Sequence, residues 1–445
     1  MTEKSHLSLR FAQLEKAKQI PQNPVPKIQR VLHHLRDRKH FAKHYSPRLV
    51  SIGPIHHGAE NLKLGEKYKL MWAAMYLGRT KQDEQTLYQK VATNIKQLKK
   101  LFAEDVIVHY PDDEILSWML FVDGCSLLQI LEKGKLNKPE EMNVKVDQLV
   151  LVWQDVLLLE NQLPYQVLKL LSGHDNGAML IDSMNEFLKC HHLWPGENRS
   201  KEGTQQGEHR VEISQESSTP IHLLDQLRRT ILIDPYNSLQ DQKDKDKMNN
   251  KSQKNTNENF KMTTHRNIQE LKATGIRLKI SHSRRLKDIY FSSGYLVAEL
   301  KLPEIIVDDS TAPTFLNLIA YEMCPDFENN YEVCSFVAFM DSLIDHPDDV
   351  KELRSSGVLH NSLGSDEEVA TLFNTISADL VPDTERYERV RSDIEKHYRT
   401  KWKTWIALGY HTYFSNPWAI IAFHAAVVAL VLTFIQTWFA INPSD

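Results

Sequence analysis

Three carboxylates stand where acids are uncommon: Asp123 inside the apolar run FVDGCSLL, and Asp155 with Glu160 inside VWQDVLLLENQLP. Burial among apolar side chains raises a carboxyl pKa, which would fit such groups for general acid and base chemistry. No nucleophile or metal set accompanies them, so the sequence favours the plainer reading, in which they bond neighbouring backbone or pair with a base. Asn161 and Gln162, just ahead of Pro164, read as the satisfied polar end of a helix. The Walker loop, GxGxxG, HExxH, GxSxG, paired CxxC and the EF-hand loop are all absent from the sequence. Its 4 Cys (Cys125, Cys190, Cys324, Cys334) lack metal spacing and are expected to be reduced core thiols. A bridge between Cys324 and Cys334 fits only a luminal topology. The 20 His include the doublets His33/His34, His56/His57 and His191/His192, whose adjacent side chains point apart on a helix or strand. No metal and no cofactor are therefore expected.

A second chemistry is electrostatic. Lys27, Arg30, Arg36, Arg38, Lys39, Lys43 and Arg48 crowd a short stretch that holds one acid, Asp37. Near a bilayer such residues contribute about 1 kcal/mol each toward anionic headgroups, although a solvated helix face explains them as well. Only Phe41 and Tyr45 interleave, too few rings for single-stranded nucleic acid.

The elements that position these groups begin with a membrane anchor. Residues 418–440, WAIIAFHAAVVALVLTFIQTWFA, contain no Lys, Arg, Asp or Glu. As a helix they reach about 35 Å, enough to cross a hydrocarbon core of about 30 Å. Trp418 and Trp438 fall where the two interfaces would lie, and residues 401–417 form an aromatic, basic approach. Lys396, Arg399, Lys401 and Lys403 precede the span and only INPSD follows it, so the bulk of the chain is expected in the cytoplasm, tail-anchored in the plasma membrane or an endomembrane. The first twenty residues lack the apolar run of a signal peptide. His424, the one titratable group in the span, reads as packed or tolerated rather than as part of a proton path.

With 445 residues, 41% hydrophobic and 25% charged, the chain has the profile of a folded protein, and a net charge of -4 is too balanced to imply a nucleic-acid partner. We divide it into an N-terminal extension (1–24), one domain (25–400) interrupted by mobile polar loops at 196–219 and 237–262, the juxtamembrane segment 401–417, the transmembrane helix 418–440 and a tail, 441–445. Asn198 and Asn250 in those loops are glycosylation acceptors only if the loops face the lumen. Leu149, Val152, Trp153, Val156 and Leu163 predict a helix running up to Pro164, and Val333 to Ile344 predict another. Ser365 with Glu368 reads as a capping box. GIRLKI, DIYF, YLVAEL and EIIV are β-prone. The expected class is predominantly α with a small antiparallel β-sheet (α+β), plus a single C-terminal transmembrane helix.

Several blocks together resemble the plant family known as domain of unknown function 247, or uncharacterised protein family 0481. They are YSPRLVSIGPIHHG (Tyr45 to Gly58) with Glu66 and Lys69, VDGCSLL, DVLLLENQLP, HLLDQLR, RNIQELKATGIRLK, FLNLIAYEMC, VAFMDSLID and LGSDEEVATLFN. Ile55 departs from the family's usual Phe, Gln129 from a common acid, and Ala312-Pro313 from the acid that usually continues the DDST block. The resemblance implies a plant, single-pass membrane protein without established catalytic residues. Some members are implicated genetically in self-incompatibility recognition in grasses. From the residues we expect a membrane-anchored recognition or scaffold protein that binds another protein. The alternatives are an enzyme using Asp123, Asp155 or Glu160, and a peripheral sensor of anionic lipid. SIGPIHHG itself reads as an extended run turning at Gly53-Pro54, with a second bend at Gly58 and with His56 and His57 locking the turn.

Overall fold

The computed structural model describes residues 2–18, 26–38, 41–173, 177–191, 193, 219–232, 266–281, 284–294, 298–378, 380–383, 385–399 and 417–441. The polar insertions with Asn198 and Asn250, Lys39, residues 401–416 and the tail 442–445 lie outside the described residues.

Helices come first in the chain: α1 (Thr2–Ala17), α2 (His33–Arg36), α3 (Lys63–Thr80), α4 (Glu84–Leu98), α5 (Glu104–Ile107), α6 (Asp113–Lys133), α7 (Val146–Asp155), α8 (Tyr165–Leu171), α9 (Gly177–Leu188), α10 (Leu223–Leu232) and α11 (Ile268–Ala273). The axis of this half is α6. From Met119 to Leu131 it is buried on every side, as α3, α4, α8 and α9 pack on it, while Ile115 and Trp118 near its start are exposed. Its start is fixed by Asp112, whose carboxylate accepts the Glu114 N–H at 2.8 Å. The start of α4 is fixed likewise by Asp83 and the Thr86 N–H. The segment IHLLDQLRRTILI between the polar insertions folds as expected, into α10, with Leu223, Leu224, Leu227 and Ile231 buried.

Each of the four β-prone runs contributes a strand: β1 (Ile276–Ile280), β2 (Tyr290–Ser293), β3 (Ala298–Leu302) and β4 (Ile305–Val307). The sheet is not antiparallel as expected. Its order is β1-β3-β2, with β1 parallel and β2 antiparallel to β3. β3 takes the centre because it supplies the most apolar inward row, Ala298, Leu300 and Leu302, all at 0% exposure. Short apolar runs carry pleat periodicity but no direction, so sequence could not tell the two ladders apart. A second pair, β4 parallel to β5 (Leu359–Asn361), went unread because three residues leave no period to detect.

The chain closes with α12 (Thr311–Glu322), α13 (Glu332–Leu343), α14 (Pro347–Ser355), α15 (Asp366–Ile376), α16 (Glu388–Arg399) and α17 (Pro417–Ile441). α12 to α15 pack on one another, α11 bridges α14 and β1, and α16 lies against β2. Ser365 caps α15 by accepting the Glu368 N–H at 3.2 Å, but the Glu368 carboxylate takes the Gly364 N–H instead of closing the box. All four Cys are free thiols, with Cys125, Cys324 and Cys334 buried and Cys190 exposed.

Candidate functional site

The acids singled out by sequence converge on one strip of backbone. Residues 48–53 run through the helical core as bends and irregular backbone without a strand partner among the described residues, so side chains must satisfy their N–H groups. The Asp155 carboxylate accepts three in succession, from Arg48 at 2.9 Å, Leu49 at 2.7 Å and Val50 at 2.9 Å. Asn161 Oδ1 accepts from Ile52 at 2.6 Å while its Nδ2 donates back to the Val50 carbonyl at 2.9 Å. Asp123 Oδ2 accepts from Gly53 at 2.8 Å. The Tyr110 hydroxyl then donates to the Pro54 carbonyl at 2.8 Å. Four side chains thus answer the backbone groups of this irregular strip. Gly53 turns here at φ 81°, and a Cβ on it would sit 2.6 Å from the Gln162 carbonyl oxygen. Gly65 lets α3 press closer still, since a Cβ there would meet the Leu49 carbonyl oxygen at 2.0 Å.

Asp123 also anchors an ion pair. Lys69 Nζ, fully buried, lies 2.6 Å from Asp123 Oδ1, 3.0 Å from Glu66 Oε1 and 3.2 Å from Ser51 Oγ. Burial works against the ammonium, but Asp123 and Glu66 outweigh it and push the Lys69 pKa up, so the charge stays on the lysine. Burial pushes Asp123 above the usual carboxylate range, opposed by Lys69 and the Gly53 N–H. Ser51 Oγ donates to Glu66 Oε1 at 2.7 Å, and His57 Nδ1 stands 3.8 Å from the same oxygen.

Glu160 holds the other end of the turn. It accepts the Val31 N–H at 2.8 Å, pairs with Arg36, and lies 2.9 Å from His56 Nε2. Burial would raise its pKa, yet His56, Arg36 and the Val31 N–H together hold it below the usual range. His56 and His57 thus each meet a carboxylate on either side of the bend, and Gly58 supplies the second turn at φ 76°.

The helix expected to reach Pro164 ends at Asp155 instead. Polar side chains compete for its carbonyls: Asn161 Nδ2 donates to the Asp155 carbonyl, and Gln162 Nε2 to those of Val156 and Leu158. Glu160 therefore sits in a turn, not in a helix. Asn317 of α12 accepts the Leu159 N–H at 2.8 Å and donates to the His44 carbonyl at 2.8 Å, stitching this turn to the N-terminal segment.

Sequence reading missed two acids of the same kind. Glu322 accepts the Val333 and Cys334 N–H groups at 2.9 Å each and pairs with Arg228. Asp349 accepts from Gln269, Asp345 and His346 at 3.0 Å each. The signal for Glu322 was available in FLNLIAYEMC, an acid within an apolar helical run like that around Asp123.

Part of the basic stretch is engaged within the chain among the described residues. Arg36 is engaged by Glu160, Arg38 donates to the Ala378 carbonyl, and Arg30 lies 3.8 Å from Asp105, while Lys43 and Arg48 are exposed and Lys27 is half-buried. Trp438 is exposed on α17, where Trp418 also falls. Among the described residues no three His, Cys, Asp or Glu side chains gather as for a metal ion. What the arrangement does chemically is fix backbone: Asp123, Asp155 and Glu160 are all turned to N–H groups and cations of the chain itself.

Comparison with known proteins places these blocks. The UPF0481 protein At3g47200 of Arabidopsis thaliana is 26% identical over 415 residues, covering 90% of this chain and 83% of that one. The Putative UPF0481 protein At3g02645, also of Arabidopsis thaliana, is 28% identical over 170 residues, covering 38% of this chain and 32% of its own length. No solved structure matches. The family model of DUF247, described as a plant protein of unknown function, spans residues 28–432, from the first bridged residue of the strip's approach into the apolar C-terminal helix, and this chain belongs to that family.

Proposed function

We propose that this chain is a single-pass membrane protein, held by its C-terminal helix, whose helical body works by binding another protein. The observation that carries the reading is α17. Its stretch Ile421–Trp438 is long and apolar enough to cross a bilayer, and none of it is buried against the rest of the chain. The cations Lys396, Arg399, Lys401 and Lys403 ahead of it favour a cytoplasmic body, at the plasma membrane or an endomembrane.

Binding rather than catalysis is supported by two features. The three candidate acids are committed to backbone, and an aromatic patch lies open: Ile115 and Trp118 on α6 are 57% and 54% exposed, and the Trp118 ring lies 6.1 Å from that of Tyr88. Trp and Tyr dominate the energetic centres of protein interfaces. Exposed Glu84 stands one helical turn before Tyr88 and exposed Glu114 one turn before Trp118, so a partner offering an apolar anchor flanked by basic residues fits the patch.

Alkaline carbonate extraction tests the anchor: the full-length chain is expected in the pellet, and its release intact into the supernatant refutes the reading. Glycosidase treatment is expected to leave mobility unchanged; a shift at Asn198 or Asn250 would put the body in the lumen. For binding, a photo-crosslinker at Ile115 should give a saturable adduct with one protein, and Trp118→Ala should lower that affinity at least about tenfold.

A further inference from the structure

The mixed sheet turns one face to the core and the other to solvent. Ile276, Ala298, Leu300 and Leu302 point inward and are buried. Alternation along the strands puts Arg277, Lys279, Glu299, Lys301, Tyr290 and Ser292 on the opposite face. The registers set Arg277 beside Glu299, and Lys301 between Lys279 and Tyr290. Lys279 Nζ lies 2.6 Å from Glu299 Oε1, and the three cations hold the Glu299 carboxyl below its usual range, the Lys279 bond foremost. Glu299 and Asp288, whose Oδ1 accepts the Tyr290 hydroxyl at 3.4 Å, are outnumbered by Arg277, Lys279 and Lys301, so the face keeps a positive surplus. Tyr290, 57% exposed, adds a ring of the kind enriched at membrane interfaces.

We propose that this open sheet face docks on the anionic surface of the bilayer that holds α17. The inference rests on the anchored reading. α16 ends at Arg399 and α17 begins at Pro417, so residues 400–416 keep the body within about 60 Å of the membrane. Contact is then made by a tethered body at high local concentration, and a cationic face is drawn in whenever it comes within a Debye length, about 10 Å. The richer basic stretch 27–48 is a weaker rival, because Arg36 and Arg38 are engaged within the chain. A single ring, Tyr290, offers too little stacking surface for single-stranded nucleic acid.

The test uses the full chain, reconstituted in vesicles, with Cys190→Ser and Ser292→Cys. This places one accessible thiol on the face, since Cys125, Cys324 and Cys334 are buried. A fluorophore on that thiol should be quenched by headgroup-level spin-labelled lipid at least about twofold more in phosphatidylcholine/phosphatidylserine vesicles than in phosphatidylcholine alone. High salt should abolish the difference, as should Arg277→Gln/Lys279→Gln/Lys301→Gln, whose fold is checked by its melting temperature. Equal quenching in both lipids, or a difference that survives neutralisation, overturns the proposal. An emission change with an added oligonucleotide in neutral vesicles, without response to phosphatidylserine, overturns it in favour of nucleic acid. Carbonate washing of the same vesicles reads the anchor separately, so failure of the docking face and failure of the anchor are distinguishable.

Discussion

Both α6 and α17 are long and apolar enough to cross a bilayer, yet most of α6 is buried within the chain and none of the span Ile421–Trp438 is. Their polar residues show what separates them. In α6, Ser126 donates to the Val122 carbonyl of its own helix and to the Lys69 carbonyl of α3, and Asp123 meets Lys69 and the Gly53 N–H, so its polar groups are answered by other parts of the chain as well. In α17, Thr433 and Thr437 bond only back into their own helix, to the carbonyls of Ala429 and Thr433. A core helix can carry charge because neighbours pair it; a helix meant for lipid has to satisfy itself. Hydropathy alone would treat the two alike.

The sharpest way to break this contrast is one substitution in each helix. Leu127→Arg, at a site 2% exposed, should unfold the body, a loss beyond about 4 kcal/mol by thermal or urea denaturation. Leu430→Arg, at a site 71% exposed, should leave the melting temperature of the body unchanged and weaken membrane integration by about 2.5–3.5 kcal/mol, read by carbonate extraction. Unfolding by Leu430→Arg would mean that α17 packs on the body. Next in size is the pair inside α6's neighbourhood. Lys69→Met and Asp123→Leu should each cost about 3–5 kcal/mol, because each strands a buried charge, and the double variant should cost less than either alone. Additive losses would show that the two are not coupled.

Asp155→Asn keeps the shape but puts an NH2, which cannot accept, in place of one carboxylate oxygen, so at least one of the three N–H contacts is lost, with an expected loss of about 1–3 kcal/mol in urea denaturation. A variant with unchanged stability and lost cellular function would instead revive a catalytic role. Acid should act through His222, whose pKa burial pushes down to about 4 while its Nδ1 accepts the Asp225 N–H at 3.1 Å. Between pH 6.5 and 4 the unfolded chain binds a proton there that the folded chain refuses, so stability falls as pH falls, by about 2 kcal/mol at pH 5. Glu160 adds to this lower down. Its depressed folded pKa contributes stability above the ordinary carboxylate range that is lost as pH drops through the folded value. Urea midpoints against pH for His222→Phe and Glu160→Gln should separate the two windows. The smallest effect is expected at Trp118→Ala, within about 1 kcal/mol in melting, since that ring is half out of the core.

Local signals carried the sequence reading a long way. The four β-prone runs became strands, HLLDQLR became a helix, and the bend at Gly53 and Gly58 is where its glycines put it. The plainer account of Asp123, Asp155 and Glu160 matches their contacts, but their common target did not show in the sequence. Arg48 and Asp155 stand 107 residues apart, Gly53 and Asp123 70 apart, and no periodicity links such pairs. The same limit hid the end of α7, where Asn161 and Gln162 divert carbonyls a helix would have used, and the ladder directions of the sheet. The solvent face of that sheet was hidden in part, because Lys301 joins Arg277 and Lys279 only through the register.

The strip at residues 48–53 has a consequence for the order of assembly. During synthesis it leaves the ribosome long before Asp123, Asp155 and Asn161, the residues that hold it. Its own sequence offers no hairpin to wait in, so it must stay solvated until about a hundred further residues have emerged and the surrounding helices have met. Insertion of the strip is then a late step, and chaperone attention to this short N-terminal tract would be the sign of it in the cell.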